Sequence, residues 1–538
     1  MIGGPRASVV AAVALLIGAA AIYTNRLDQA PYYISADEAH FAAHASALAE
    51  RGTDLQGNRA PVFFRITDPL IAGHDQRVWY QPLLFYILAA NFSVLPVNET
   101  TLRLPIALIA IVNIALMFLV ARRLVRSAAI ALLAAALLAL TPAHFLFSRQ
   151  AADYLLPLPF VLLWLWCSLR YLDTRAPRDL TAGALVLGVG LFSYIASWVM
   201  MPMLAVLMVL VARPPVRHVA IAASAFLTPI AVILLLQRDV ARVVGDLAGR
   251  YRLDSGFDIG ERASLYWQYF NPSFLVFAGG ADPLMATSRA GVFLVASAVL
   301  IACGIYLALN RPGKPAALVL AGFLLGPLPV VLTVPETPFA SPGRVMTMVV
   351  FGVLLAAIAI ERLWRSPRIS LKLSVALLIV SVPLQFAYFH RDYFGEYQHR
   401  ASHRFDPYAM RDAIAAVAQL DREAPASAVL LNDDGDNKAI RWRFYTLKER
   451  REELWERTSY FSAGALGDHI PPEAVLITGA DDPRANNLRG AGYERVMQVR
   501  DRGGRAAADI YRRTARATEA TPTAATSATN GAAISRRD

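Results

Sequence analysis

Two adjacent carboxylates, Asp37 and Glu38, stand in the run Ser35-Ala36-Asp37-Glu38-Ala39-His40-Phe41, which opens a helical pattern running to Glu50. Acidic residues at a helix start have a plain structural use, because they favour the positive end of the helix dipole. The same pair could also work chemically, one carboxylate taking a proton from a hydroxyl while the other orients the site. Helical spacing puts Asp37, His40 and His44 on one face at i, i+3 and i+7. With Glu38 these side-chain types could ligate a metal. Two histidines so spaced read more simply as interfacial polar residues, so no metal or other cofactor is expected. Downstream come Trp79-Tyr80-Gln81-Pro82-Leu83-Leu84-Phe85-Tyr86 and Thr101-Leu102-Arg103-Leu104-Pro105. Taken singly, these are an interfacial aromatic belt and an anchor for an apolar span.

The elements that must position these groups are membrane helices. Of 538 residues, 56% are hydrophobic and only 17% are charged, against about a quarter charged in soluble domains. Mean hydropathy is +0.42. Eleven apolar runs are long enough for spans of roughly 20 residues. They lie near 7–25, 102–121, 127–147, 153–170, 179–194, 197–212, 218–236, 290–309, 315–334, 345–360 and 373–389. The first run could be a signal peptide, but its 19 residues and the many spans that follow favour a retained helix. The segment 81–97, bounded by Pro82 and Pro96 and interrupted by Asn91, predicts an interfacial or re-entrant helix.

Charge gives the direction. With the N-terminus inside, the cytoplasmic connections carry Arg122/Arg123/Arg126, Arg170/Arg175/Arg178, Arg213/Arg217, Arg311/Lys314 and Arg362/Arg365/Arg368/Lys372. Every one is basic, as the positive-inside rule requires. The net charge of +11 is explained this way, and nucleic acid is not expected as a partner. Cys167 and Cys303 both lie in apolar runs, which excludes a disulfide framework and a cysteine zinc site.

An odd number of spans puts the C-terminal region outside. The reading is a polytopic all-α membrane domain over residues 1–400, with outside loops 26–101 and 237–289. A small soluble α/β domain follows over 401–513, with short apolar runs at Ala428–Leu431 and Ala474–Ile477, and then a disordered tail over 514–538. The run of histidines from His390 to His403 reads as a polar, aromatic linker at the membrane surface. Asp433-Asp434-Gly435-Asp436 reads as a solvated turn rather than a calcium loop.

The ordered set of motifs is more specific than its members. Asp37-Glu38, the aromatic-Pro-Leu-Leu-aromatic-Tyr helix, Arg103-Leu104-Pro105 and Ala121-Arg122-Arg123-Leu124 follow one another. Then come Phe147-Ser148-Arg149-Gln150-Ala151-Ala152-Asp153, Tyr269-Phe270-Asn271-Pro272 with Gly279-Gly280-Ala281-Asp282-Pro283, and Thr337-Pro338-Phe339-Ala340-Ser341-Pro342-Gly343-Arg344. Over roughly residues 5–400 this order resembles the superfamily of protein O-mannosyltransferases and the lipid A aminoarabinose transferase, with the GT-C membrane fold. The resemblance implies a polyprenyl-phosphate-linked sugar as donor and transfer on the non-cytoplasmic face. It also implies Asp37 as general base, with Glu38 its neighbour in the motif.

Expulsion of a lipid phosphate builds negative charge that an arginine stabilises well. Arg103, Arg149, Arg289 and Arg344 all fall at the outer membrane boundary. Arg149 and Arg344 lead as donor-phosphate ligands, with Arg103 a further candidate. Tyr80, Asp153 and Asn271 are expected at the substrate. Gln81-Pro82 departs from the Lys-Pro of many relatives, and Phe339-Ala340-Ser341 lacks their histidine. The expected acceptor is a hydroxyl on a protein, lipid or glycan of the cell envelope, reached from the inner (plasma) membrane. A transporter of lipid-linked sugars and a non-catalytic envelope scaffold are the alternatives. Clustering of the notable charges at the outer boundary, rather than at the midplane, favours interfacial chemistry.

Overall fold

The structure is a computed structural model that describes residues 5–70, 75–236, 258–333, 340–433, 437–462, 470–471 and 473–513. Helix α1 spans Pro5–Thr24, α2 Ala36–Arg51, α3 Pro82–Phe92 and α4 Glu99–Leu124. Each of the eleven expected spans falls on a helix. After α1 and α4 these are Ala128–Ala139, Pro157–Thr174, Pro177–Gly190, Ser197–Ala212, Val216–Leu236, Val295–Asn310, Lys314–Leu325, Met346–Trp364 and Ile369–Phe394. Seven are long and apolar enough to cross a membrane by themselves, some with a short flanking turn; the other four are shorter.

Burial ranks the helices. Met346–Trp364 is enclosed over nearly its whole length and forms the axis of the bundle, whereas α1, Val216–Leu236 and Ile369–Phe394 turn most of their apolar surface outward. Hydrophobic all round and yet exposed, those three suit a lipid environment. Two glycines set the closest helix approaches. A Cβ on Gly304 would lie 2.2 Å from the carbonyl oxygen of Leu355, and one on Gly188 would lie 2.4 Å from that of Phe226.

At one end of the bundle the first loop and the C-terminal region meet. Strands β1 (Phe64–Thr67) and β2 (Asp75–Tyr80) form an antiparallel hairpin in the first loop, which the sequence reading missed. The C-terminal sheet has β3 (Val429–Asn432), β4 (Thr458–Phe461), β5 (Val475–Gly479), β6 (Tyr493–Arg500) and β7 (Ala506–Arg513), in the order β4-β3-β5-β7-β6. β3 pairs parallel with both neighbours, and β7 runs antiparallel to β5 and β6. The two apolar runs read as strands are β3 and β5.

The linker expected after residue 390 is instead helical. Ile369–Phe394 runs on past the apolar segment and is followed by Glu396–Phe405, whose Tyr397, Gln398, Ala401 and Phe405 are buried. The amphipathic spacing Tyr397-Ala401-Phe405 is i, i+4, i+8, a signal outweighed in the sequence by the polar residues between. Residues 337–339, 434–436 and the tail 514–538 lie outside the described residues.

Candidate active site at the start of helix α2

Ser35 caps α2. Its hydroxyl accepts from the Glu38 amide at 3.2 Å, and its own amide donates to Glu38 Oε2 at 2.9 Å, which completes a capping box. Glu38 is wholly buried, and its Oε1 also accepts from Arg103 Nε at 2.8 Å and the Ala151 amide at 3.0 Å. Glu38 is thus occupied by the protein, an arrangement compatible with a carboxylate that orients the site. Asp37, one residue earlier, is partly exposed. Tyr80, the last residue of β2, donates its hydroxyl to Asp37 Oδ1 at 2.5 Å. Burial, reinforced by Asp37 and more weakly by Asp153, pushes the Tyr80 phenol well above its ordinary pKa, so it stays a proton donor.

Arg103 is also fully buried. Nε and Nη2 take Glu38, Nη1 donates to the carbonyls of Leu27 at 2.7 Å and Pro31 at 2.6 Å, and Nη2 also reaches that of Tyr33 at 2.9 Å. A guanidinium has five N–H donors, and here all five are engaged. Arg149 is similarly enclosed. It donates to the carbonyls of Tyr23, Asn25, Arg26 and Ala30 at 2.7–3.1 Å and stacks 4.8 Å from the Phe394 ring centroid. The phosphate-binding expectation for Arg103 and Arg149 therefore meets guanidinium groups already taken up by backbone carbonyls. The outer-boundary position was read from the topology; the carbonyl partners, 70 to 126 residues away in sequence, carry no local signal. Arg289 forms ion pairs with Asp392 at 3.4 Å and Glu396 at 2.9 Å.

Arg344 is placed differently. It lies in the short turn Pro342–Val345, is partly exposed, and exerts an electrostatic pull on Tyr154 and Tyr269. Gly343 lets this turn press on its neighbours. A Cβ there would sit 2.9 Å from the Phe147 ring and 3.0 Å from the Tyr154 ring. Asp153 and Tyr154 start the turn Asp153–Leu155, which packs against Pro342–Val345. Asp153 is buried and, like Asp37 and Tyr154, within electrostatic range of the Tyr80 hydroxyl. Asp37, Tyr80, Asp153, Tyr154 and Arg344 are thus brought to one region, from four separate parts of the chain. Tyr154 was not singled out from the sequence. Asn271 stands apart: it is exposed, accepts from the Ser273 amide at 2.8 Å, and lines an open cleft of about 400 Å³ with Gln268, Phe274, Gly280 and Ala340.

His40 and His44, one and two turns on from Asp37 along α2, are buried. His40 Nε2 lies 3.3 Å from Asn437 Oδ1, and His44 Nδ1 accepts from the Leu55 amide at 3.4 Å. Among the described residues, no three His, Cys, Asp or Glu side chains converge as a metal-holding group.

Residues 80–237 match the family model described as dolichyl-phosphate-mannose-protein mannosyltransferase. Asp37 and Glu38 lie outside that match. No curated protein matches the chain in sequence. In fold the chain is similar to ArnT from Cupriavidus metallidurans in the apo state, with a TM-score of 0.60 at 14% identity, over 95% of this chain and 99% of that one. It is equally similar to the same protein bound to undecaprenyl phosphate, with a TM-score of 0.61 at 14% identity, over 94% and 98%. The fold is the GT-C membrane fold expected from the motifs. With the family match lying inside it, the findings support a membrane glycosyltransferase.

Two predictions follow from the buried groups. Arg103→Lys leaves three carbonyls and a buried carboxylate competing for one ammonium, and should lower stability by about 3 kcal/mol or more; thermal unfolding of the detergent-solubilised protein measures this. Burial lowers the His44 pKa from 6.5 to about 3. The unfolded chain therefore takes up this proton first, so stability is whole above pH 6.5 and falls as the pH drops towards 3, by about 1.4 kcal/mol per unit. His44→Gln should flatten that part of the pH–stability curve.

Proposed function

We propose that this chain moves a sugar from a polyprenyl-phosphate-linked donor to an acceptor hydroxyl on the extracytoplasmic face of the inner membrane, with Asp37 as general base. The observation that carries the reading is the division of labour between adjacent carboxylates: Glu38 is sequestered, while Asp37 is partly exposed and held by Tyr80. The undecaprenyl phosphate bound by ArnT in this fold supports the donor class.

In this mechanism Asp37 accepts the proton of the acceptor hydroxyl as its oxygen attacks the anomeric carbon. The bond from that carbon to the phosphate oxygen breaks, and polyprenyl phosphate leaves with the electron pair and a negative charge. Arg344 stabilises that charge from the turn beside Tyr154. Tyr80 fixes the Asp37 rotamer, and Asp153 orients a sugar hydroxyl. Arg103, Arg149 and Glu38 hold the base in place without touching substrate. Asn271 lines the open cleft beside Ala340 and would meet substrate from there.

Asp37→Asn should lower sugar transfer in membranes by about 10²- to 10⁴-fold, with insertion and yield unchanged. Transfer at the wild-type rate would remove Asp37 from this role. A reporter active only outside the cytoplasm, fused to the C-terminus, should be active; a cytoplasmic signal would reverse the orientation.

A further inference from the structure

We propose that the C-terminal domain positions the catalytic base, through Arg411 and Asp412, by clamping the backbone that enters α2. The inference rests on the reading of Asp37 as that base.

The clamp starts from a rigid turn. Asp406 is wholly buried, and its carboxylate accepts from the amides of Tyr408 at 3.1 Å and Met410 at 2.7 Å. Arg441 closes the same turn by donating to the Phe405 carbonyl at 3.2 Å. Helix Met410–Glu423 begins there and presents Arg411 and Asp412 in its first turn.

Arg411 Nη1 donates to the carbonyls of Asp28 and Tyr32, both at 2.7 Å, and its guanidinium lies 4.2 Å from the Tyr32 ring centroid. Asp412 takes the other side. Its Oδ2 accepts from the Tyr33 hydroxyl at 2.5 Å, and its Oδ1 from that of Tyr32 at 3.3 Å. Gln398 Oε1 accepts from the Tyr32 amide at 3.0 Å, and the Arg502 amide donates to the Tyr33 hydroxyl at 3.1 Å. Burial, and then the bond to Asp412, raise the Tyr33 pKa, so the phenol remains the donor.

Two residues after Tyr33 stands Ser35, the cap of α2, and two further on stands Asp37. Pinning Tyr33 therefore fixes where the helix starts and where its second residue points. From below, Arg103 binds the Tyr33 carbonyl. The segment is thus gripped between a membrane helix and the soluble domain, and either grip alone leaves one side free. Geometry at this level matters to turnover, since displacement of a reacting group by about 1 Å can cost 100-fold.

The test uses the full chain in lipid nanodiscs, with Asp412→Ala and Tyr33→Phe singly and together. Tyr33→Phe removes one hydroxyl and keeps the ring, so folding is preserved. Amide hydrogen exchange over residues 35–41 should rise about 10-fold in each variant. Turnover should fall about 10- to 100-fold, with the KM for a synthetic polyprenyl-phosphate sugar within about twofold. The double variant should fall short of the sum of the two single effects, because both remove the Tyr33–Asp412 bond while each also loses one of its own, to Arg502 or to Tyr32. Unchanged exchange over 35–41 overturns the clamp. Raised exchange with unchanged turnover overturns its role in positioning the base. Loss of turnover together with donor affinity does the same. Asp37→Asn, assayed alongside, reports separately on the base, since the exchange readout does not depend on which residue takes the proton.

Discussion

Three arginines hold nine carbonyls of one short stretch of backbone. Arg149 binds those of Tyr23, Asn25, Arg26 and Ala30, Arg103 those of Leu27, Pro31 and Tyr33, and Arg411 those of Asp28 and Tyr32. This stretch leaves the first membrane helix and must reach α2 without a regular hydrogen-bonding pattern of its own. Buried carbonyls without partners are costly, and a planar fork of five donors satisfies several from one direction. The guanidinium groups are solvated in turn by these carbonyl dipoles, and Arg103 by the Glu38 carboxylate as well. Chain path, arginines and Glu38 form one interdependent unit, and the position of Asp37 is its output.

The adjacent carboxylates show how one residue of displacement separates two physical fates. On a helix, neighbouring side chains diverge by 100°, as 3.6 residues per turn requires. At the third helical position, Glu38 folds back to close the capping box and meets Arg103. At the second, Asp37 faces the turn of Asp153 and Tyr154 and the end of β2. The buried pair needs full hydrogen-bond satisfaction to offset its desolvation, and Glu38 has it. Among the described residues Asp37 has one hydrogen-bond donor, Tyr80, and it keeps some access to solvent.

Much of this was legible in the sequence because it depends on local pattern. Apolar length located the eleven helices, and the adjacent carboxylates of the Ser35–Phe41 run marked the start of α2. β3 and β5 showed as short apolar runs. The β1–β2 hairpin did not, since its strands are short and mixed in polarity, and the amphipathic helix Glu396–Phe405 was hidden by its histidines and arginines. Tyr80 was flagged for its place in an aromatic run, whereas its bond to Asp37 joins residues 43 apart.

The sequence by itself determined the membrane character, the helix count, the superfamily resemblance and the carboxylate pair. All of these follow from composition, period and order along the chain. Only the tertiary structure decided which arginines are enclosed by backbone carbonyls of the stretch from Tyr23 to Tyr33. Arg103, Arg149 and Arg344 are alike as residues at an apolar boundary. What marks Arg103 and Arg149 is full burial with backbone carbonyls within 3.1 Å, contributed by residues far away in the chain, whereas Arg344 is partly exposed in the turn Pro342–Val345. Such partners exist only once the first loop, the bundle and the C-terminal domain have closed on one another, and the Asp37 carboxylate takes its place from that closure.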